Sequence, residues 1–134
     1  MKKDIPVKKV EDIAIAIVPR DGQLDGELWS VYLLNFKKET IKNVLINSRG
    51  YGKIDEEEKK TTTLRYFFEE IGPERAVLVE PIQAKLFDIT NEYILSFQFE
   101  DYMFDKKYVF VKGSIDPMNF TNIPFINIAG VMIK

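Results

Sequence analysis

The amino-acid sequence predicts an all-β (mainly β) protein, a single antiparallel β-sandwich of about seven or eight strands. Short segments rich in β-branched and aromatic residues recur along the chain, and turn residues separate them at regular intervals. The chain has 134 residues, of which 46% are hydrophobic, so it is long enough for one domain with its own core. A small barrel is the alternative architecture.

The first two strands are expected to form an antiparallel hairpin. Residues 13–18 are all apolar, which is typical of a strand covered on both faces. Pro19 ends this segment, and the polar residues 20–26 form a turn. Residues 27–35 then provide a second strand rich in β-forming residues, among them Trp29.

A third strand is predicted over residues 40–47, followed by a turn and a charged loop. Residues 48–53 include Gly50 and Gly52, which would supply the positive φ angles of a tight turn. The run 55–60 is acidic and then basic, which favours a solvated loop tip.

Residues 61–71 fit two descriptions. The apolar side chains follow helical spacing at Leu64, Phe67, Phe68 and Ile71, and the Gly-Pro pair that follows would end a helix. Three consecutive threonines before an aromatic cluster favour a strand instead. We predict a strand, with one short helix near 63–71 as the alternative.

The second half of the chain contains the clearest alternation. Residues 76–82 form a short apolar strand that ends at Pro81. Residues 93–99 place apolar side chains on one face, Glu100 and Asp101 turn the chain, and residues 104–111 return with a second aromatic stripe. Residues 113–127 are irregular, and residues 129–133 add a last strand.

The chain is expected to consist of a flexible N-terminal arm, residues 1–9, and one domain, residues 10–134. The arm contains Lys2, Lys3, Lys8 and Lys9. No early apolar run is long enough for a signal peptide or a spanning helix. The formal net charge is −2 and there is no cysteine, so we expect a soluble cytoplasmic protein with no membrane partner.

The sequence contains neither histidine nor cysteine. Without histidine there is no Ser-His-Asp relay, and without cysteine there is no thiolate nucleophile, disulfide or thiolate metal site. Acidic residues cluster between Asp88 and Asp105, but not with the spacing of a calcium loop. We therefore expect no catalytic residues, no metal site and no cofactor.

Four residues are candidates for binding: Arg49, Tyr51, Lys53 and Arg65. The run 49–52 matches the basic-Gly-aromatic-Gly start of the RNA-recognition signature, although Lys53 stands where that signature has a stacking aromatic residue. Arg65 lies among aromatic residues, where an arginine can stack or bind an anion. The simpler alternatives are a glycine turn and a surface arginine paired with a nearby glutamate.

Seven short runs carry a resemblance to known proteins: Arg49-Gly50-Tyr51-Gly52, Thr63-Leu64-Arg65, Phe67-Phe68-Glu69, Glu80-Pro81-Ile82, Asn91-Glu92-Tyr93, Asp105-Lys106-Lys107 and Ile123-Pro124. In these runs, which extend over nearly the whole chain, the sequence resembles a small family of bacterial proteins of about this length. Some members carry the label phenylalanyl-tRNA synthetase α subunit. A class II synthetase core needs a much longer chain with arginine-containing motifs that bind ATP. This chain has neither, so that activity is not expected.

The predicted hairpin 93–111 resembles, more loosely, part of the β-sandwich domain that precedes Smr domains in some bacterial proteins. The shared features are an aromatic-x-aromatic run, an acidic turn, and Phe-Asp followed by an apolar run. This resemblance implies an immunoglobulin-like sandwich and a place near nucleic-acid metabolism.

Together these observations favour a non-enzymatic module that binds a protein partner, or forms a homo-oligomer, through an exposed sheet face or edge strand. The first alternative is a nucleic-acid or tRNA-associated protein that uses the four candidate residues and the basic arm. The second alternative is a small enzyme that works with carboxylates.

Overall fold

A computed structural model describes residues 10–134, so the predicted arm over residues 1–9 lies outside the described residues. The described part contains ten strands and three short 3₁₀ segments, Arg20–Gly22, Ala84–Asp88 and Pro117–Asn119. None of its helical segments has the length and apolar character needed to cross a membrane. The strands are β1 (Ile13–Pro19), β2 (Leu28–Asn35), β3 (Ile41–Ile54), β4 (Glu57–Lys60), β5 (Leu64–Ile71), β6 (Arg75–Gln83), β7 (Thr90–Phe99), β8 (Tyr102–Phe110), β9 (Thr121–Ile123) and β10 (Ile128–Ile133).

The strands form two antiparallel sheets, which confirms the predicted all-β fold class. Sheet I has the order β6-β2-β1-β10-β9. In sheet II, β3 pairs with β7 and β7 with β8, while β4 and β5 pair with different stretches of β3. The facing side chains of both sheets form one main core, whose largest fully buried members are Tyr93, Tyr108, Phe97 and Phe110. The arrangement is therefore a β-sandwich.

The first strand lies in the middle of sheet I and is buried on both faces, as its continuous apolar sequence predicts. All seven residues of β1 are buried. The isoleucines, such as Ile15, belong to the main core, whereas Ala14, Ala16 and Val18 belong to a second, smaller cluster with Ile123. The hairpin with β2 is also present as predicted, with Ile13 opposite Asn35 and Pro19 opposite Trp29.

The predicted turn over residues 48–53 is wrong, because β3 runs unbroken from Ile41 to Ile54. The glycines in this run serve close packing instead of chain reversal. A Cβ atom at Gly50 would lie 3.0 Å from the Cδ1 of Ile89 and 3.1 Å from the Oδ1 of Asn91. A Cβ at Gly52 would lie 3.2 Å from the Ile89 side chain. The segment that precedes β7 can therefore pack directly onto β3.

The chain reverses a few residues later, at Asp55 and Glu56, whose φ angles are 52° and 68°. The charged run 55–60, predicted to be a loop tip, is this turn together with β4. All four residues of β4 are exposed, so the run is solvated as expected although it is a strand. Because β4 has four residues and β9 has three, neither was recognised in the sequence, and the described part has ten strands where about seven or eight were predicted.

Residues 64–71 form strand β5, so the strand prediction is confirmed and the alternative of a short helix near 63–71 is wrong. The pairing of β5 with residues 41–48 of β3 outweighs the helical spacing of its apolar residues. Strand β6 continues through Pro81, which is compatible with its position at the edge of sheet I. The β7–β8 hairpin is present as predicted, with the rings of Phe97 and Phe104 stacked at 5.0 Å.

Candidate functional site

The four predicted binding residues lie on one surface, which we call the outer face of sheet II. It consists of alternate residues of β3 from Leu45 to Lys53, of β5 from Arg65 to Glu69, of β7 from Glu92 to Ser96, and of β8 from Asp105 to Val109. Arg65 stands opposite Asn47, and directly opposed residues of paired strands share a face. The strand pairing thus brings Arg65 onto the same face as Arg49, Tyr51 and Lys53.

Two of the four candidates are engaged by a buried carboxylate on this face. Glu92 is 1% exposed and stands opposite Arg49 in the β3–β7 pair. The Arg49 Nε donates to Glu92 Oε2 at 2.6 Å, and the Tyr51 hydroxyl donates to Oε1 at 3.2 Å. The Lys107 Nζ lies 3.6 Å from Oε1. Glu92 therefore contacts two positively charged groups and one hydroxyl. The sequence did not identify it as their partner.

The charge state of Glu92 follows from these contacts. Burial by itself raises the pKa of a carboxyl group, but the hydrogen bond and charge of Arg49, the charge of Lys107 and the hydrogen bond from Tyr51 outweigh it. The net result is a pKa of Glu92 below its ordinary value of 4.5, so the side chain is ionised at neutral pH. The guanidinium of Arg49 also lies 5.8 Å from the centre of the Tyr51 ring.

The other two candidates are exposed, and neither has a hydrogen-bond or ion-pair partner within residues 10–134. Lys53 stands opposite Glu58 of β4, and Lys60 of β4 stands opposite Tyr51. The end of β3 next to β4 therefore carries charges of both signs.

The most exposed aromatic side chain of residues 10–134 is Phe67, at 62%. It stands on the outer face of sheet II directly opposite Leu45, which is half-buried. Arg65 and Glu69, both exposed, occupy the same face of β5 on either side of it. Strand β5 thus presents an aromatic side chain between one positive and one negative charge.

A second polar cluster lies between the two sheets, and sequence reasoning missed it. Glu80 on β6 of sheet I is 7% exposed. Its Oε1 accepts hydrogen bonds from Ser48 Oγ at 3.1 Å and from the Tyr66 hydroxyl at 2.6 Å. Its Oε2 accepts one from the Tyr93 hydroxyl at 2.9 Å. One carboxylate of sheet I is therefore joined to β3, β5 and β7 of sheet II.

A β-bulge explains why this cluster was missed. Val31 of β2 stands opposite Glu80, but the next residue, Tyr32, stands opposite Leu78, so Val79 is an extra residue in β6. Simple alternation from Val77 would place Glu80 on the outside of the sheet. The bulge reverses the alternation and turns Glu80 into the interior. The sequence shows only a glutamate within an apolar strand, and that signal alone does not reveal the bulge.

The hydroxyls around Glu80 act as donors. Burial, together with the hydrogen bond and charge of Glu80, raises the pKa of Tyr93 and of Tyr66 well above the ordinary tyrosine value of 10.0. Both side chains therefore stay protonated at neutral pH and hold the carboxylate by O–H donation. The cluster is a polar link between the layers, with all three hydroxyls oriented towards one acceptor.

A cleft of about 210 Å³ opens beside this cluster and is lined also by Thr61, Thr62 and Asn91. Glu80 is the one carboxylate among the described residues that line it. The second carboxylate that a carboxylate-based enzyme would need is not in this lining. Within the described ranges, no group of three or more acidic side chains is arranged to hold a metal ion.

No protein-family model, curated protein or solved structure matches the chain. Its function is therefore inferred from the outer face of sheet II, from β5 and from the Glu80 cluster.

Proposed function

We propose that this chain is a non-enzymatic β-sandwich module of the cytoplasm that binds another polypeptide along β5 and the adjoining outer face of sheet II. The observation that carries the proposal is the open edge of β5. This strand has eight residues and pairs with β3 on one side, and no strand of residues 10–134 pairs with its other side. An edge of this kind offers backbone donors and acceptors to an extended peptide.

Phe67 supplies an anchor beside this edge. Exposed aromatic side chains surrounded by polar groups are typical centres of protein interfaces. The ring of Phe67 stands next to Leu45, and the flanking charges of Arg65 and Glu69 would form the polar rim. A bound strand would cover the ring while leaving those charges near solvent.

The Glu80 cluster supports this role because it holds β5 in place. The Tyr66 hydroxyl on β5 donates to the carboxylate of Glu80 on the other sheet at 2.6 Å. An edge strand fixed in this way loses less conformational freedom on binding, which favours affinity. Strand β5 is thus both open to a partner and rigidly supported from behind.

The proposal is tested by capture from the native cytoplasm with tagged wild-type protein and two variants. Phe67→Glu places a charge at the anchor, and Met118→Glu is the matched control because Met118 is 85% exposed and lies outside sheet II. We expect a protein partner to be recovered in stoichiometric amount with the wild type and with Met118→Glu, and lost with Phe67→Glu. Recovery of the same partner with all three proteins would show that β5 is not the binding site.

Nucleic-acid binding is the second candidate function, because Arg49, Tyr51, Lys53 and Arg65 share one face of a sheet. Against it, the charge of Arg49 is already matched by Glu92. Titration of a labelled single-stranded RNA at low and high salt distinguishes the two functions. Nucleic-acid binding requires an affinity that falls steeply with salt and with Lys53→Glu or Arg65→Glu. No binding at low salt would exclude it, whereas partners lost after nuclease treatment would favour it.

The immunoglobulin-like character and the two resemblances, to the bacterial family and to the domain that precedes Smr domains, stay predictions. A solved structure of a member of either group would test them by its strand order.

A further inference from the structure

Strand β5 differs from the other sheet edges of the described chain. Natural edge strands are commonly blocked by proline, by charged side chains and above all lysine, by a bulge or by short length. Strand β6 has Pro81 and the bulge at Val79, β8 has Lys106 and Lys107, and β4 and β9 have four and three residues. Strand β5 has eight residues, with no proline, glycine, lysine or positive φ angle among them. It is a regular strand whose charged residues, Arg65, Glu69 and Glu70, are of both signs, so that a strand of complementary charge can pair with it.

We propose that β5 pairs with β5 of a second copy of this chain, antiparallel, about a twofold axis that passes through Phe67. This inference rests on the proposed function and identifies the polypeptide that pairs with the open edge of β5. Pairing would join sheet II of the two copies into one continuous sheet with self-complementary halves.

The charges on the outer face argue for this occupant and this register. Arg65 and Glu69 stand two residues before and two residues after Phe67, so all three share the outer face. With the axis at Phe67, the two phenylalanines oppose each other, and each Arg65 opposes Glu69 of the other copy. Two ion pairs of opposite orientation then flank one aromatic pair, and such cross-strand pairs stabilise antiparallel sheets.

Neighbouring registers lose this match. Moving the axis to Phe68 places Phe67 opposite Glu69 and Arg65 opposite Ile71. Moving it to Tyr66 places Arg65 opposite Phe67 and leaves Glu69 without a cation. The register at Phe67 also sets Tyr66 opposite Phe68 on the inner side, where both aromatic side chains are partly buried. One register therefore pairs opposite charges on the outer face and aromatic side chains on the inner face, with Leu64 opposite Glu70 at the strand ends.

The test is the oligomeric state of the full chain, measured by sedimentation velocity over a range of protein concentrations. A contact through one strand edge buries little area, so we expect a dimer that dissociates on dilution. Arg65→Glu and Glu69→Arg each place like charges opposite one another, and each is expected to shift the protein to monomer. An equimolar mixture of the two variants restores both ion pairs, so we expect the dimer to return in the mixture. Lys112→Glu, an exposed charge reversal beyond β8, is the matched control and is expected to leave the dimer unchanged.

A wild-type protein that is monomeric at every concentration would overturn the inference, and so would a dimer unaffected by both reversals. Circular dichroism of each variant separates lost pairing from lost folding. The wild-type concentration series tests the dimer independently of any variant. The proposed function has a separate readout. If the wild type is monomeric but Phe67→Glu still abolishes capture of a protein, the second copy is wrong and the role of β5 stands. If neither the dimer nor the capture of a protein depends on β5, both the proposed dimer and the proposed function of β5 are wrong.

Discussion

The hydroxyl of Tyr93 in sheet II donates a hydrogen bond of 2.9 Å to the carboxylate of Glu80 in sheet I. Tyr93 is 1% exposed and is one of the largest buried side chains of the protein. Its ring packs at 6.0 Å from that of Phe110 within the apolar core, while its oxygen reaches the other layer. The same side chain therefore contributes both to the core and to the polar link between the sheets.

Tyr93→Phe is expected to lower the free energy of unfolding by about 1.5–3 kcal/mol, because it removes a buried hydrogen bond to a carboxylate without changing the ring. Urea denaturation of wild type and variant measures the difference. Tyr32→Phe is the matched control, since the hydroxyl of Tyr32 has no hydrogen-bond partner within the described ranges. An equal loss in both variants would mean that the Tyr93–Glu80 contact contributes nothing specific.

Alkaline pH is expected to destabilise the protein through the buried tyrosines. Burial raises the pKa of Tyr108, and burial with Glu80 raises that of Tyr93, above the ordinary value of 10.0. A group whose pKa is raised by folding stabilises the fold below its unfolded pKa, and this contribution is lost as the pH rises above that value. The free energy of unfolding should therefore decline above about pH 10, with tyrosinate absorbance of these residues appearing together with unfolding. Full tyrosinate absorbance in a still-folded protein would contradict this.

Acidic pH is expected to act through Glu92. Its pKa lies below the ordinary value of 4.5 in the folded protein, so its contribution is complete above that pH and is lost as the pH falls through the folded pKa. Glu92→Gln should therefore flatten the acid limb of a plot of unfolding free energy against pH. Glu58→Gln on exposed β4 is the control and should leave that limb unchanged. Identical acid limbs in all three proteins would show that the Arg49–Glu92 contact is not linked to folding.

Gly130→Ala is expected to destabilise the protein by at least about 2 kcal/mol, because the new methyl group overpacks the contact between β10 and β1. A Cβ at Gly130 would lie 2.5 Å from both the backbone oxygen of Ile17 and the Cγ1 of Val18. Thermal unfolding compares this variant with Ala129→Ser, a change at the neighbouring exposed residue. Unchanged stability in Gly130→Ala would mean that the two strands lie farther apart.

The turn between β7 and β8 offers a stabilising change. Asp101 has a φ of 65°, a left-handed conformation that glycine adopts at lower cost, so Asp101→Gly should raise the free energy of unfolding by about 1 kcal/mol. Asp105→Gly, in the extended part of β8, should instead lower it by about 0.5–1 kcal/mol. Chemical denaturation of both variants measures this difference in sign, and two losses of equal size would argue against strain at the turn.

The sequence predicted the parts of the fold that depend on local pattern. Alternation over residues 93–99 and the acidic pair that follows sufficed for the β7–β8 hairpin. The features that were missed depend on partners distant in sequence. Glu80 points inward only because of the bulge in the pairing of β6 with β2. Gly50 is needed only because the side chain of Ile89 packs against it. The turn predicted over residues 48–53 hid the strand pairing that brings the four candidate residues onto one face, and the partner of Arg49 is 43 residues away and could not be inferred.

The position of β1 between β2 and β10 affects how the protein emerges from the ribosome. The β1–β2 hairpin can form early, but Ile17 finds its other neighbour, Val131, only when nearly all of the described chain has been synthesised. Until then the nascent hairpin displays an isoleucine-rich strand with one unpaired edge and two uncovered faces. For most of translation the hairpin therefore exposes apolar surface and an unpaired strand edge, the features that make an incomplete chain prone to aggregate.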